Sequence, residues 1–339
     1  MLELIERLSL LHGVSGDEGA VAEAIIAEIK EHCECKTDNL GNILAFKKGK
    51  KRAPCRLMIA AHMDEVGFII THIAENGLLK FATVGGIDSR VIAGKAVLVG
   101  SDGVYGVIGE RAMHQLEGAE KDKIPDIDNL FIDIGTNTRE ESEKYVSCGA
   151  RAVFKSDFVS FGDGCIKGRA LDDRAGCAVL ISLIKTELLY DTYFAFTVQE
   201  EIGTVGARAA AFALEPDIAI VVETTTAGDI AGVAEEKKVC RLGKGAVLGF
   251  MDKGTIYDNG LYQLALNIAK RDGVAVQTKE GVFGGNDSRA IQTARAGVRC
   301  IAVSMPCRYL HSPSCVLKTS DIFAVRALVD CLCEEVYNA

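Results

Sequence analysis

Two carboxylate pairs dominate the chemistry open to this chain. Asp172-Asp173 open one apolar segment, and Glu200-Glu201 close another. Acids set this densely among apolar runs repel one another and resist burial unless positive charge sits between them. A pair of divalent metal ions is the usual source of that charge, and histidines are the usual co-ligands. His62 and His311 are the candidates, with Glu223 as a further carboxylate. Two histidines and three or four carboxylates form a nitrogen and oxygen donor set suited to Zn²⁺, Co²⁺ or Mn²⁺. Two ions require a bridging carboxylate, for which Asp172 is the natural choice. Asp64, two residues from His62, can orient that imidazole through its second ring nitrogen.

Each residue also has a plain structural reading. A histidine at a strand end is commonly a satisfied core or surface residue. Asp-Asp before a helix is commonly an N-cap with a favourable dipole interaction. Glu200-Glu201 alone could be a solvated loop. Cys307, His311 and Cys315 have ligand-like spacing, but Pro306 and Pro313 exclude a helix there, so a structural zinc is not expected. Cys33-x-Cys35 and Cys331-x-Cys333 read as packing.

The elements that must position these groups favour a site. Helical period covers Leu2 to Leu11, and a second helix follows Asp17-Glu18 through Ile29. A strand at Asn42 to Phe46 is expected to pair with one at Arg56 to Ala61, which ends at His62. From Gly67 to Ser160 the helical period disappears and glycine turns punctuate short β-rich runs, predicting a small β-barrel or sandwich. Its middle, from Met113 to Asn129, reads as polar loop. After Gly168 the spacing predicts helices at Arg174 to Leu189, Val205 to Leu214, Asn259 to Arg271 and Asp287 to Ala296, with a final helix from Ser320. Strands are predicted at Tyr193 to Val198, Asp217 to Val222, Val274 to Thr278 and Val298 to Ser304. The class is therefore α/β, a mixed sheet sandwiched by helices with an inserted small β-barrel. Residues 1–66 and 161–339 form the catalytic domain in this reading, and residues 67–160 the insertion. His62, Asp64, Glu200, Glu201, Glu223 and His311 then follow strands, and Asp172 precedes a helix. In open α/β sheets the carboxyl ends of parallel strands line the ligand crevice, so all can reach one edge.

Composition narrows the partners. The 339 residues are 48% hydrophobic and 25% charged, ordinary for a globular protein that buries a sizeable core. A net charge of −9 without any Lys/Arg-rich block argues against nucleic acid or an anionic membrane. No apolar run approaches the ~18 residues of a membrane span, and Met1 to Leu8 reads as an amphipathic helix rather than a signal peptide. Twelve cysteines scattered through apolar segments suit reduced thiols and a cytoplasmic location.

Ala61-His62-Met63-Asp64-Glu65-Val66-Gly67, Ala170-Leu171-Asp172-Asp173-Arg174-Ala175-Gly176 and Glu200-Glu201-Ile202-Gly203 resemble motifs of the dinuclear glutamyl and tetrahedral (TET) aminopeptidases, some of which carry the label endoglucanase. Gly284-Gly285-Asn286-Asp287 and the Pro306 to Pro313 segment extend the resemblance over nearly the whole chain. It implies a metal-dependent aminopeptidase that releases N-terminal amino acids from short peptides through a water activated by two metal ions per subunit. It further implies dimerisation through the inserted domain, and dimers assembling into hollow dodecamers. Carried over, His62, Asp172 and Glu223 sit on one ion and Asp172, Glu201 and His311 on the other, with Glu200 as base and Asp64 orienting His62. A cis peptide between Asp172 and Asp173 is also implied. Glu223 departs from the family, where Asp is commoner. A di-metal deacylase or carboxypeptidase of the same architecture is the near alternative. A glycosidase working with two carboxylates is the distant one, and it leaves both histidines without a role.

Overall fold

The computed structural model describes residues 1–115, 118 and 124–338. Helices α1 (Leu2–Leu10) and α2 (Gly19–Ile29) precede strands β1 (Glu34–Thr37), β2 (Ile43–Lys47) and β3 (Leu57–His62). Strands β4 (Gly67–Ile73), β5 (Leu79–Val84), β6 (Ala96–Val99), β7 (Val104–Gly109), β8 (Phe131–Asp133) and β9 (Arg151–Phe154) follow, with a one-turn helix α3 (Arg139–Ser142). Next come β10 (Val159–Phe161), β11 (Cys165–Gly168), α4 (Leu171–Ile184), β12 (Thr192–Thr197), α5 (Val205–Leu214) and β13 (Ile218–Thr226). The chain closes with β14 (Ala246–Leu248), α6 (Asn259–Asp272), β15 (Val276–Thr278), α7 (Ser288–Ile291), β16 (Arg299–Cys307), β17 (Cys315–Lys318) and α8 (Thr319–Glu335).

An eight-stranded mixed sheet, in the order β1-β2-β12-β3-β13-β16-β14-β15, forms the centre. Its four middle strands, β12, β3, β13 and β16, are mutually parallel. Every residue of β3 is buried, as its uninterrupted apolar run requires of a strand covered on both faces. The two faces alternate with period 2. Leu57, Ile59 and Ala61 join the larger core with Ile25 of α2 and Leu180 of α4, whereas Met58 and Ala60 meet Ala207 and Ala211 of α5. Small alanines let α5 lie close to the sheet, and that closeness brings the β12–α5 loop over the strand ends.

Strands β4-β5-β8-β7-β6-β9 close into a barrel with its own core. Phe68 stands at its centre, edge-on to Phe81 and Phe154 with centroids 5.1 Å away in each case. Part of the Met113 to Asn129 loop, residues 116, 117 and 119–123, lies outside the described residues. All twelve cysteines are unpaired, and no described helix is long and apolar enough to cross a membrane.

Several local expectations are corrected. β2 does not pair with β3; β12 lies between them, antiparallel to β2 and parallel to β3. Burial of β3 on both faces favours parallel neighbours brought in by crossovers over a nearby hairpin partner. α4 ends at Ile184, not Leu189, because Lys185, Thr186 and Glu187 face solvent. α7 is a single turn rather than a helix to Ala296, and β13 and β16 run four and three residues further than expected, to Thr226 and Cys307. Glu223 consequently lies inside β13 and not after it. Strands β1 and β14 and the small sheet β10-β11-β17 carried no clear signal.

Candidate metal centre

The parallel strands present their carboxyl ends to one cleft. His62 is the last residue of β3, Glu200 and Glu201 stand three and four residues beyond β12, and His311 follows β16. Asp172 and Asp173 occupy the first turn of α4 with non-helical backbone angles, across a cis peptide. A cavity of about 300 Å³ is lined by His62, Asp172, Glu200, Glu201, Glu223 and His311, among others.

Asp172 stands between the two imidazoles. Its Oδ1 lies 3.5 Å from His62 Nε2, and its Oδ2 lies 3.2 Å from His311 Nε2. Thr224 Oγ1 donates to the same Oδ1 at 2.7 Å, which fixes the carboxylate plane. Glu223 Oε1 is 3.5 Å from His62 Nε2 and accepts the Thr224 amide at 2.8 Å, so its extra methylene is taken up by folding back on its own strand. Glu201 Oε1 is 3.3 Å from His311 Nε2. His311 adopts φ 57°, and its Nδ1 is 2.8 Å from the carbonyl oxygen of Gly86, in the loop after β5. The barrel thus holds one imidazole of the site.

Asp64 is fully buried below the cluster. Its Oδ1 is 3.3 Å from His62 Nδ1 and accepts the Glu200 amide at 2.9 Å. Its Oδ2 accepts the Glu201 amide at 3.1 Å and the Ser15 hydroxyl at 2.6 Å. Beneath it, Arg174 is completely buried and donates from Nε to Met63 O and from Nη1 to Leu8 O, both at 2.6 Å, while Glu65 pairs with Arg169 and Arg174.

The electrostatics expose an excess of negative charge. Burial pushes Asp173 and Glu200 well above the usual carboxylate range and Glu223 up to about 8. Asp172 goes the other way: burial opposes ionisation, but hydrogen bonds from His311 and His62 hold it well below that range. Burial also opposes charge on His62, yet Glu223, Asp172 and Asp64 hold its proton well above the ordinary histidine range. His311, with Asp172 and Glu201 overcoming burial, is pushed up to about 12. So many buried acids facing two imidazoles favour a cation between them. Among the described residues, three buried carboxylate oxygens lack a hydrogen-bond partner: Asp173 Oδ2, Glu201 Oε1 and Asp287 Oδ1. Ligand atoms of His62, Asp173 and Glu223 lie within 4.8 Å of one another, as do those of His62, Asp172 and Glu201. Orphaned carboxylate oxygens, two imidazoles and this spacing fit divalent metal.

All seven residues singled out in the sequence therefore meet in one place. Reading the sequence left Asp173 without a role, and it missed Thr224, Ser15 and the Gly86 carbonyl entirely. Asp287, whose Oδ2 accepts from Thr197 Oγ1 at 2.5 Å, was legible only as part of a motif. Hydroxyls and carbonyls carry no spacing signal that would mark them out.

Residues 41–328 match the family described as M42 glutamyl aminopeptidase. A protein of Acetivibrio thermocellus that bears the provisional name of an aminopeptidase is 40% identical, over 98% of each chain. The lysyl aminopeptidase of Pyrococcus furiosus is 32% identical, over 98% of this chain and 97% of its own. Among solved structures, the Pyrococcus horikoshii TET1 peptidase, which can assemble into a tetrahedron or a large octahedral shell, superposes with a TM-score of 0.86 at 33% identity and 98% coverage of both chains. A Thermotoga maritima protein named endoglucanase superposes with a TM-score of 0.81 at 36% identity, over 98% of this chain and 97% of its own. The cluster at the strand ends, the barrel beside it and a family match over most of the chain agree: this protein belongs to the M42 glutamyl aminopeptidase family and is a peptide hydrolase of the aminopeptidase class.

Proposed function

We propose that the cluster holds two divalent ions and that the enzyme releases N-terminal amino acids from short peptides. The observation that carries this reading is the Asp172 carboxylate set between His62 Nε2 and His311 Nε2, with orphaned oxygens of Asp173 and Glu201 alongside. His62, Asp172 and Glu223 would hold one ion, and Asp172, Glu201 and His311 the other. Zn²⁺ or Co²⁺ suits this donor set best, and Mn²⁺ is compatible. When bound, the ions supply Lewis acidity toward the scissile carbonyl and acidify water.

The chain's own residues do the rest. Glu200 takes a proton from the attacking water and returns it to the leaving amine. Burial raises its pKa well above the usual carboxylate range, the direction in which enzymes tune a carboxylate for proton transfer. Asp64 orients His62 and fixes the amides of both glutamates. The acidic wall attracts the substrate's free α-amine and thereby selects a chain end. A cavity near the lower limit of ligand pockets suits short peptides.

In the same reading, residues 1–66 and 161–339 are the catalytic domain, and residues 67–160 serve dimerisation. Dimers then assemble into a dodecamer in the cytoplasm. The shells of the TET1 relative support assembly. So do Tyr105 and Val107, which stand exposed on the outer face of β7. A glycosidase reading has only a relative's name behind it and gives the two histidines no work.

The test is a panel of aminoacyl chromogenic substrates, assayed on chelated enzyme and again after reconstitution with Zn²⁺, Co²⁺ or Mn²⁺. Activity is expected only with metal and only on free amines. Equal cleavage of N-acetylated substrates would favour a deacylase or carboxypeptidase, and full activity in chelator a metal-free mechanism.

A further inference from the structure

We infer that Arg289 is a specificity residue that binds a carboxylate of the peptide substrate, an inference that rests on the peptidase reading of the same cavity. Arg289 lines the cavity whose other walls carry Asp172, Glu200, Glu201 and Glu223. Among the described residues its side chain makes no hydrogen bond or ion pair, although four acids share the cavity with it. A guanidinium normally finds a carboxylate when one is within reach, and its planar fork matches one bidentately. Arg289 is exposed and contributes to the cavity wall.

Its stem has a defined seat. The stem of Arg289 lies against Gly254, where a Cβ would come within 2.6 Å of the arginine Cδ and 2.8 Å of its Cγ. Only glycine leaves room for that stem. The backbone is anchored next door: Asn286 Nδ2 donates to the Tyr257 hydroxyl at 3.0 Å, and Asp287 accepts from Thr197. Arg289, on the turn that these residues hold, is therefore fixed beside the metal centre and not on a free loop.

The polarity of the cavity follows. Acids on its walls attract the substrate amine, and one cation takes up a negative group elsewhere on the same peptide. A carboxylate is the anion that peptides offer. It comes from an acidic side chain near the N-terminus or from the C-terminus of a very short peptide.

The experiment compares wild type, Arg289→Gln, Arg289→Lys and Gly254→Ala, all metal-loaded. Glutamyl-leucine amide is set against leucyl-leucine amide for the side-chain source, and leucyl-leucine against leucyl-leucine amide for the terminal source. In the arm that applies, Arg289→Gln should lower the acid-to-neutral ratio of kcat/KM by roughly 10–100-fold, mostly through KM, the usual worth of a hydrogen bond to a charged group. Arg289→Lys should recover part of it, and Gly254→Ala should lower it by displacing the stem. Binding of the same peptides by calorimetry, in a Glu200→Gln background, reads the ratio without turnover. A wild type that cleaves none of the panel would refute the peptidase reading, and the calorimetric ratio would still decide Arg289. Ratios unchanged in both arms, or equal losses on acidic and neutral peptides, would overturn the inference.

Discussion

Asp64 accepts the backbone amide of Glu200 at 2.9 Å through the same oxygen that faces His62 Nδ1. One buried carboxylate thus sets the imidazole on β3 and the loop after β12 together. Asp64→Asn should disturb both. Partners of this kind are typically worth about 10–100-fold in metal affinity or activity. Metal titration alongside kcat/KM checks it, and a variant normal in both would show that Asp64 is only a structural acid.

The adjacent glutamates should fail in different ways. In the proposed assignment Glu200→Gln removes a base worth about 10²–10⁴-fold, so kcat should fall while metal content stays near normal. In the same assignment Glu201→Gln weakens the site shared with His311, so metal affinity should fall and excess metal should restore part of the activity. Rescue of Glu200→Gln by metal would mean that the two roles are exchanged.

Arg174 is a structural prediction. Replacing it with Met leaves the carbonyls of Met63 and Leu8 without their donor in the interior and Glu65 with Arg169 as its remaining ion-pair partner. An unsatisfied buried acceptor costs about 1–3 kcal/mol. Gly13→Ala should act in the same direction, since a Cβ there would lie 2.4 Å from Arg174 Nη2. Denaturant unfolding measures both, and unchanged midpoints would remove Arg174 from the support of the site.

Asp258 gives a pH-dependent case. It caps α6 through the Leu261 amide and pairs with Arg299 at 2.9 Å. Hydrogen bonding to Arg299, chiefly, lowers its folded pKa. A depressed folded value means that its contribution is full above the unfolded pKa of about 3.9 and is lost as pH falls through that range. Asp258→Ala should cost about 1 kcal/mol at neutral pH, the worth of a cap, and flatten the acid limb of the stability curve. Equal losses at every pH would exclude the ionic part.

Assembly should depend on the barrel. Glutamate at both Tyr105 and Val107 places charge on the exposed face of β7. The oligomer should split while metal content persists, as sizing and elemental analysis would show. Metal loss from an intact oligomer would contradict the assignment of the barrel to assembly.

The amino-acid sequence on its own determined the layered α/β class, the glycine-punctuated barrel and the acids and histidines at strand ends. These follow from local periodicity and from the cost of burying like charges, which are written in neighbouring residues. Only the tertiary structure decided that β12 separates β2 from β3, that Glu223 lies inside its strand, and that Thr224, Ser15 and Gly86 hold the site's acids and imidazole. Strand order is a choice among non-local partners, and nothing in adjacent residues encodes it. Hydroxyls and carbonyls become functional through where the fold points them, as Arg289 does through the space that Gly254 leaves.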